Sequence, residues 1–194
     1  MLVFKKKLLL KEYEYFLLKE CRYPSEQTVL QSTHYYDTQD YRLNKAGITC
    51  CIQEQNGRCT AIVRDHRVQW EDCTIENSVS VRSKWDDSFF QNMELRFQGN
   101  METQRTVFVL WPGGKIYLDR NGYLGVQDYE FTLTYEHAAR TRAASEMESV
   151  LDCLSFHRGG EAASSFKKRL SQSKSKSVRF FEKKAILDSL LKEE

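Results

Sequence analysis

Short turns set between runs of strand-forming residues limit this chain's fold more than any other feature. Asn56-Gly57 separates "ITCCIQEQ" from "RCTAIVRDH", and Gly113-Gly114 separates "TQRTVFVLWP" from "KIYLDRNGY". Asn-Gly accepts the positive φ angles of a two-residue hairpin, so it ties its flanking strands antiparallel. Residues 2–8, "TVLQSTHYYDT", "HRVQWEDCTIE" and "VQDYEFTLTYE" also read as strands. The total is about eight, in antiparallel order. Leu10, Tyr13, Phe16, Leu17 and Cys21 recur at helical spacing, as do Met147, Val150, Leu151 and Leu154. Residues 77–94 read as irregular or partly helical. Many antiparallel strands leave costly edges unless the sheet closes on itself. The expected fold is therefore α+β, an eight-stranded antiparallel β-barrel or tunnel with flanking helices.

A length of 194 residues suits one such domain. We place it at 1–183, with 184–194 a C-terminal helical tail packing on it. Ile186, Leu187, Leu190 and Leu191 form an apolar stripe on that tail. The stripe fits a homodimer contact and fits packing on its own barrel equally well.

A net charge of +2 gives no general affinity for nucleic acid or membrane surfaces. Leu8, Leu9 and Leu10 follow a basic run, but "KEYEYF" interrupts them too early for a signal peptide. No stretch approaches the roughly 18 apolar residues of a membrane span. A cytoplasmic protein is expected. Its six cysteines show no CxxC pair and no histidine at zinc-finger spacing, so they read as small hydrophobes in a reducing compartment.

In a closed barrel alternate side chains point inward. Thr103 and Arg105 share one face of their strand, and Asp128, Glu130 and Thr132 share another. Lys174 and Lys176 share a face if their segment is extended. One such residue is ordinary on a solvated outer face. Repetition on several strands points instead to a wet interior, and Lys and Arg with a few carboxylates suit a polyphosphate and a divalent ion. The sequence has no GxxxxGK[ST] loop, no GxGxxG after a strand and no GxSxG elbow. His34 and His66 read as strand residues with local hydrogen bonds.

Four segments, in order, resemble the CYTH superfamily, the triphosphate tunnel enzymes, and within it the short bacterial CYTH proteins. "HYYDTQDYRLNKAGI" is similar to H-Y-F-D-T-x-D-x-x-L-x-x-A-x, and "NGRCTAIVR" supplies a strand ending in a basic residue. "YLDRNGYLGVQDYEFTLTYE" is similar to L-D-x-x-x-Y-L-x-x-x-D-Y-E-x-E-x-E, and "KSKSVRFFE" to K-x-K-x-x-R-F-Y-E. The resemblance covers residues 1 to about 183. It implies a tunnel of antiparallel strands in which basic side chains grip a triphosphate and acidic ones hold Mg²⁺ or Mn²⁺.

Carried over position by position, it implies phosphate binding by Lys6, Arg64, Arg105, Lys174, Lys176 and Arg179. It implies metal binding by Glu71, Asp119 and Glu130, and names no catalytic residue. Counting back from "HYYDT" puts the family's E-x-E-x-K at Leu2-Val3-Phe4-Lys5-Lys6, with both glutamates replaced, by Leu2 and Phe4. A rival frame on Glu12 and Glu14 lacks the lysine. The L-R-I-R segment aligns with Cys50-Cys51-Ile52-Gln53, and Thr132 and Thr134 stand at two late acidic positions. The expected function is binding of a small polyphosphate or nucleotide anion in a basic tunnel, with catalysis weakened or lost. Two alternatives stand beside it. One is an active metal-dependent inorganic triphosphatase with an altered metal site. The other is a scaffold whose tunnel is filled by Leu2, Phe4 and Cys51.

Overall fold

The computed structural model describes residues 3–24, 27–70, 73–156, 169–170 and 173–191. Its strands are β1 (Val3–Leu10), β2 (Thr28–Asp37), β3 (Ile48–Gln55), β4 (Arg58–Trp70), β5 (Cys73–Val81), β6 (Arg96–Trp111), β7 (Gly114–Tyr123) and β8 (Val126–Glu136). They form one antiparallel sheet in the order β1-β8-β7-β6-β2-β3-β4-β5. The sheet curls until its two edge strands, β1 and β5, come within 8 Å of each other. This is the expected α+β tunnel.

Two of the hairpins carry consecutive positive φ angles. Asn56 and Gly57 stand at 52° and 72°, and Leu124 and Gly125 at 47° and 72°, as the twist of the flanking strands requires. The β6–β7 turn lies one residue earlier than the sequence suggested. Pro112 and Gly113 form its tip and Gly114 already begins β7. Gly113 has φ 79°, as the glycine of a Pro-Gly type II turn does.

Helices cover one outer face of the sheet. Helix α1 (Glu12–Leu17) runs into a π turn (Leu18–Arg22), and α3 (Arg140–Phe156) follows β8. Phe4, Leu8 and Leu10 of β1 pack there with Phe131 and Leu133 of β8 and with Met147, Val150 and Leu154 of α3. An ion pair reaches this layer from the tail, Arg169 with Glu14 at 2.7 Å, and Glu14 is fully buried. A second outer core joins Tyr36, Cys50, Ile52 and Ala61 to Phe90, carried on the 3₁₀ segment Asp87–Met93.

The motif after β2 has a structural role. Asp37 is buried and accepts hydrogen bonds from the backbone N–H groups of Thr38, Leu43 and Asn44, so it holds the turn into the short helix α2 (Arg42–Lys45). His34 bonds Ser32 and His66 bonds Thr49.

The last helix, α4 (Lys176–Leu190), starts at Ser175, whose side chain accepts a hydrogen bond from the Val178 N–H. It runs without a break across residues 183 and 184. Its first turns enter the barrel, where Phe180 and Phe181 pack on Tyr35, Cys51, Ile62 and Met101. Its far end leaves Ile186, Leu190 and Leu191 exposed. Cys21, Cys50, Cys51, Cys59 and Cys153 are free thiols, and no helix among the described residues is long and apolar enough to cross a membrane.

Candidate functional site: the charged interior of the tunnel

Strand alternation decides which lysines of "VFKKKLLL" face the interior. Phe4, Leu8 and Leu10 lie in the helix-side core, and Lys6 shares their parity, paired in register with Leu133 of that core. Lys5 and Lys7 take the opposite face. Lys7 lies 4.0 Å from Glu130, and Lys5 feels the fields of Lys7, Arg64, Glu76 and Arg105. Laid on this face, the family's E-x-E-x-K falls on positions Val3, Lys5 and Lys7. The frame ending at Lys6, with Phe4 in a glutamate's place, is therefore corrected by one residue. Phe4 stacks on Tyr135 outside the barrel and does not fill the tunnel.

The β6–β7–β8 wall pairs its charges closely. Arg105 donates two hydrogen bonds to Asp119, at 2.8 and 2.7 Å, while its guanidinium lies over the Tyr117 ring. Lys176 reaches the same carboxylate at 2.7 Å. Arg179 donates to Asp128 at 2.9 Å, to Glu130 at 2.9 Å and to the Lys174 carbonyl at 2.7 Å. Asp119 and Glu130 are direct cross-strand neighbours and both are buried. Burial alone would push both carboxyls up, but the cations outweigh it. Lys176 and Arg105 hold Asp119 below the usual range, and Lys7, Lys176 and Arg179 hold Glu130 at about 2. Burial also pushes the Lys176 ammonium down, against the pull of Asp119 and Glu130.

The opposite wall is cation-rich. Arg64 of β4 donates to Glu76 of β5 at 2.7 Å and lies 3.8 Å from the Cys51 sulfur. Lys5 is half-buried and has no carboxylate within 4.0 Å among the described residues. Burial pushes its pKa down, and Lys7, Arg64 and Arg105 push it further. Among the described residues the interior therefore gathers six cations, Lys5, Lys7, Arg64, Arg105, Lys176 and Arg179. Against them stand four carboxylates, Glu76, Asp119, Asp128 and Glu130. Lys7, Arg64 and Arg105 keep 30, 23 and 24% of their side-chain surface exposed, so a solute can reach them.

Of the residues inferred from sequence, Arg64, Arg105, Lys176, Arg179, Asp119 and Glu130 meet in this interior. Lys6 faces the helices. Lys174 is exposed and pairs with Glu182 at 2.6 Å, because the helix starts just after it and the segment is not extended. Glu71 lies outside the described residues. Sequence reasoning missed Lys5, Lys7 and Glu76. The apolar residues at 4, 8 and 10 were the signal for the two lysines.

The residues do not fit a divalent ion well. Asp119 is held by Arg105 and Lys176 and Glu130 by Arg179, and no group of three or more His, Cys, Asp or Glu among the described residues is placed to hold a metal. A cleft of about 520 Å³ elsewhere, lined by Val79–Arg82, Asp86, Ser88 and Phe89, offers one cation and one carboxylate and lacks the interior's charge.

No family model and no curated protein matches the sequence. Solved structures do match the fold. A candidate adenylate cyclase from Bacillus halodurans superposes with TM-score 0.65 at 20% identity, over 80% of this chain and 92% of that one. HpAC1 from Hippeastrum, a candidate adenylyl cyclase described as having a dominant triphosphatase activity, gives 0.59 at 17% identity, over 75% of this chain and 85% of that one. A chain of the Schizosaccharomyces pombe Mediator head module gives 0.51 at 11% identity, over 80% of this chain and 95% of that one. At these identities the likeness is one of fold. The chain has the antiparallel tunnel fold of these structures, the fold that the CYTH resemblance implied.

Proposed function

We propose that the chain is a CYTH-type domain that binds a small polyphosphate or nucleotide anion in its tunnel, with hydrolysis weakened or lost. The observation that carries this is the cluster of Lys5, Lys7, Arg64 and Arg105, in which Lys5 lacks a carboxylate partner within the described interior. Burying like charges together is costly, and an anion offsets that cost. These cations come from three strands, β1, β4 and β6, so an extended anion with many oxygens serves them better than one phosphate.

Hydrolysis needs the developing charge neutralised and a water oriented. A metal would have to displace Arg105, Lys176 or Arg179 from Asp119 and Glu130. Thr132 and Thr134 stand where the family pattern has further acids. Each lost transition-state contact costs roughly 10²–10³ in rate.

Tripolyphosphate and orthophosphate titrated calorimetrically at low salt test the reading. Tripolyphosphate should bind at least about tenfold more tightly and weaken as salt rises. Arg64→Met should weaken it by a similar factor or more. Absence of binding at low salt defeats the proposal and favours a scaffold role. A triphosphatase reading rests on the adjacent Asp119 and Glu130. It requires manganese-dependent phosphate release that Glu130→Ala abolishes.

A further inference from the structure

The inner face of β1 carries two ammonium groups where the family pattern is acidic. Lys5 stands in register with Thr134, and Lys7 with Thr132. Relative to E-x-E-x-K and E-x-E-x-E laid on the same faces, positions 3, 132 and 134 have lost a carboxylate, and position 5 has exchanged one for an ammonium. Only Glu130 of those acids remains, and Arg179 and Lys7 attend it.

We propose that this tunnel grips its anion without a divalent ion, the Lys5 ammonium standing where a metal would otherwise meet the phosphate oxygens. The inference rests on the anion-binding reading above and deepens it. Mg²⁺ and Mn²⁺ need a near-complete shell of oxygen ligands, from carboxylates, waters and substrate. An ammonium needs none, because its three N–H donors and its charge are tethered to the strand. Lys5 meets that description. It lies among Lys7, Arg64 and Arg105, and among the described residues Glu76 is the carboxylate that contributes most to its field. Thr134, its cross-strand partner, brings no carboxylate to that pair. A metal ion brought into this wall would face those cations at close range, with Glu130 already engaged.

Tripolyphosphate titrated into the full chain in EDTA, and again with Mn²⁺, separates the outcomes. The inference expects tight binding in EDTA and equal or weaker binding with Mn²⁺, since the metal neutralises part of the free anion. Lys5→Met should lose at least about thirtyfold in EDTA with no recovery on adding Mn²⁺. Lys5→Glu should lose more, and Mn²⁺ should restore at least about a tenth of the lost affinity through the regained carboxylate. Binding by the unaltered chain only when Mn²⁺ is present overturns the inference and leaves the anion-binding reading standing. Unchanged affinity of Lys5→Met in EDTA, or no Mn²⁺ response of a folded Lys5→Glu, also overturns it. No binding in either medium overturns the anion-binding reading itself.

Discussion

The two walls of the barrel interior treat buried charge differently. On β6, β7 and β8 every buried carboxylate is engaged at short range, Asp119 by Arg105 and Lys176, and Asp128 and Glu130 by Arg179. On β1 and β4 the cations outnumber their partners among the described residues, with Lys5 lacking a close carboxylate there and Lys7 reaching Glu130 only at 4.0 Å. The first wall is built to hold its own side chains in place. The second is left with charge to spend on something else. A polar interior is thus divided into a structural half and a recognition half, and the helix α4 is pinned to the structural one through Lys176 and Arg179.

The largest expected effect comes from breaking the closed wall. Asp119→Ala leaves Arg105 and Lys176 buried without their shared carboxylate, and should destabilise the fold by about 3–5 kcal/mol in urea unfolding. A loss below about 1 kcal/mol would show that the network is not structural.

Acid should act on the same wall. Glu130 is held at about 2 in the fold against an ordinary value near 4.5, so its contribution is fully present above that ordinary value. It fades as pH falls from there toward 2. Glu130→Gln should lower stability near neutral pH and flatten the acid limb across that window. An unchanged limb would mean that other carboxylates carry the acid response.

The cation-rich wall predicts the opposite sign. Lys5→Met removes a half-buried ammonium among like charges, so with no anion added it should raise the melting temperature by roughly 2–4 °C while binding is lost. A fall would show Lys5 to be a structural residue. The smallest effect belongs to its neighbour. Lys6→Met should change tripolyphosphate affinity less than about twofold, because Lys6 shares its face with Phe4 and Leu8.

Much of the fold was legible in the sequence. Asn56-Gly57, the alternation of "VQDYEFTLTYE" and the apolar face of residues 147–154 led to the strands, a hairpin and α3 that are observed. The site was less so. Counting from "HYYDT" fixed the first strand's register by spacing, and a one-residue error on a strand turns every side chain to the other face. Phe4, Leu8 and Leu10 carried the right phase, since apolar residues pack against helices and the polar set then faces inward. Lys174 turned outward because Ser175 caps a helix, a signal present in "SKSV", whereas a shared face for Lys174 and Lys176 required an extended segment. Glu76 depended on which strand closes beside β4, which no local pattern contains.

One measurement tests the recognition wall most directly: a crystal structure of the chain with tripolyphosphate, grown in EDTA. The account predicts phosphate oxygens within hydrogen-bonding distance of Lys5 Nζ and Arg64, with Lys7 and Arg105 beside them and the Asp119 network undisturbed. Tripolyphosphate bound away from Lys5, or bound only on Arg179 and Lys176 after their carboxylates have been displaced, would contradict it.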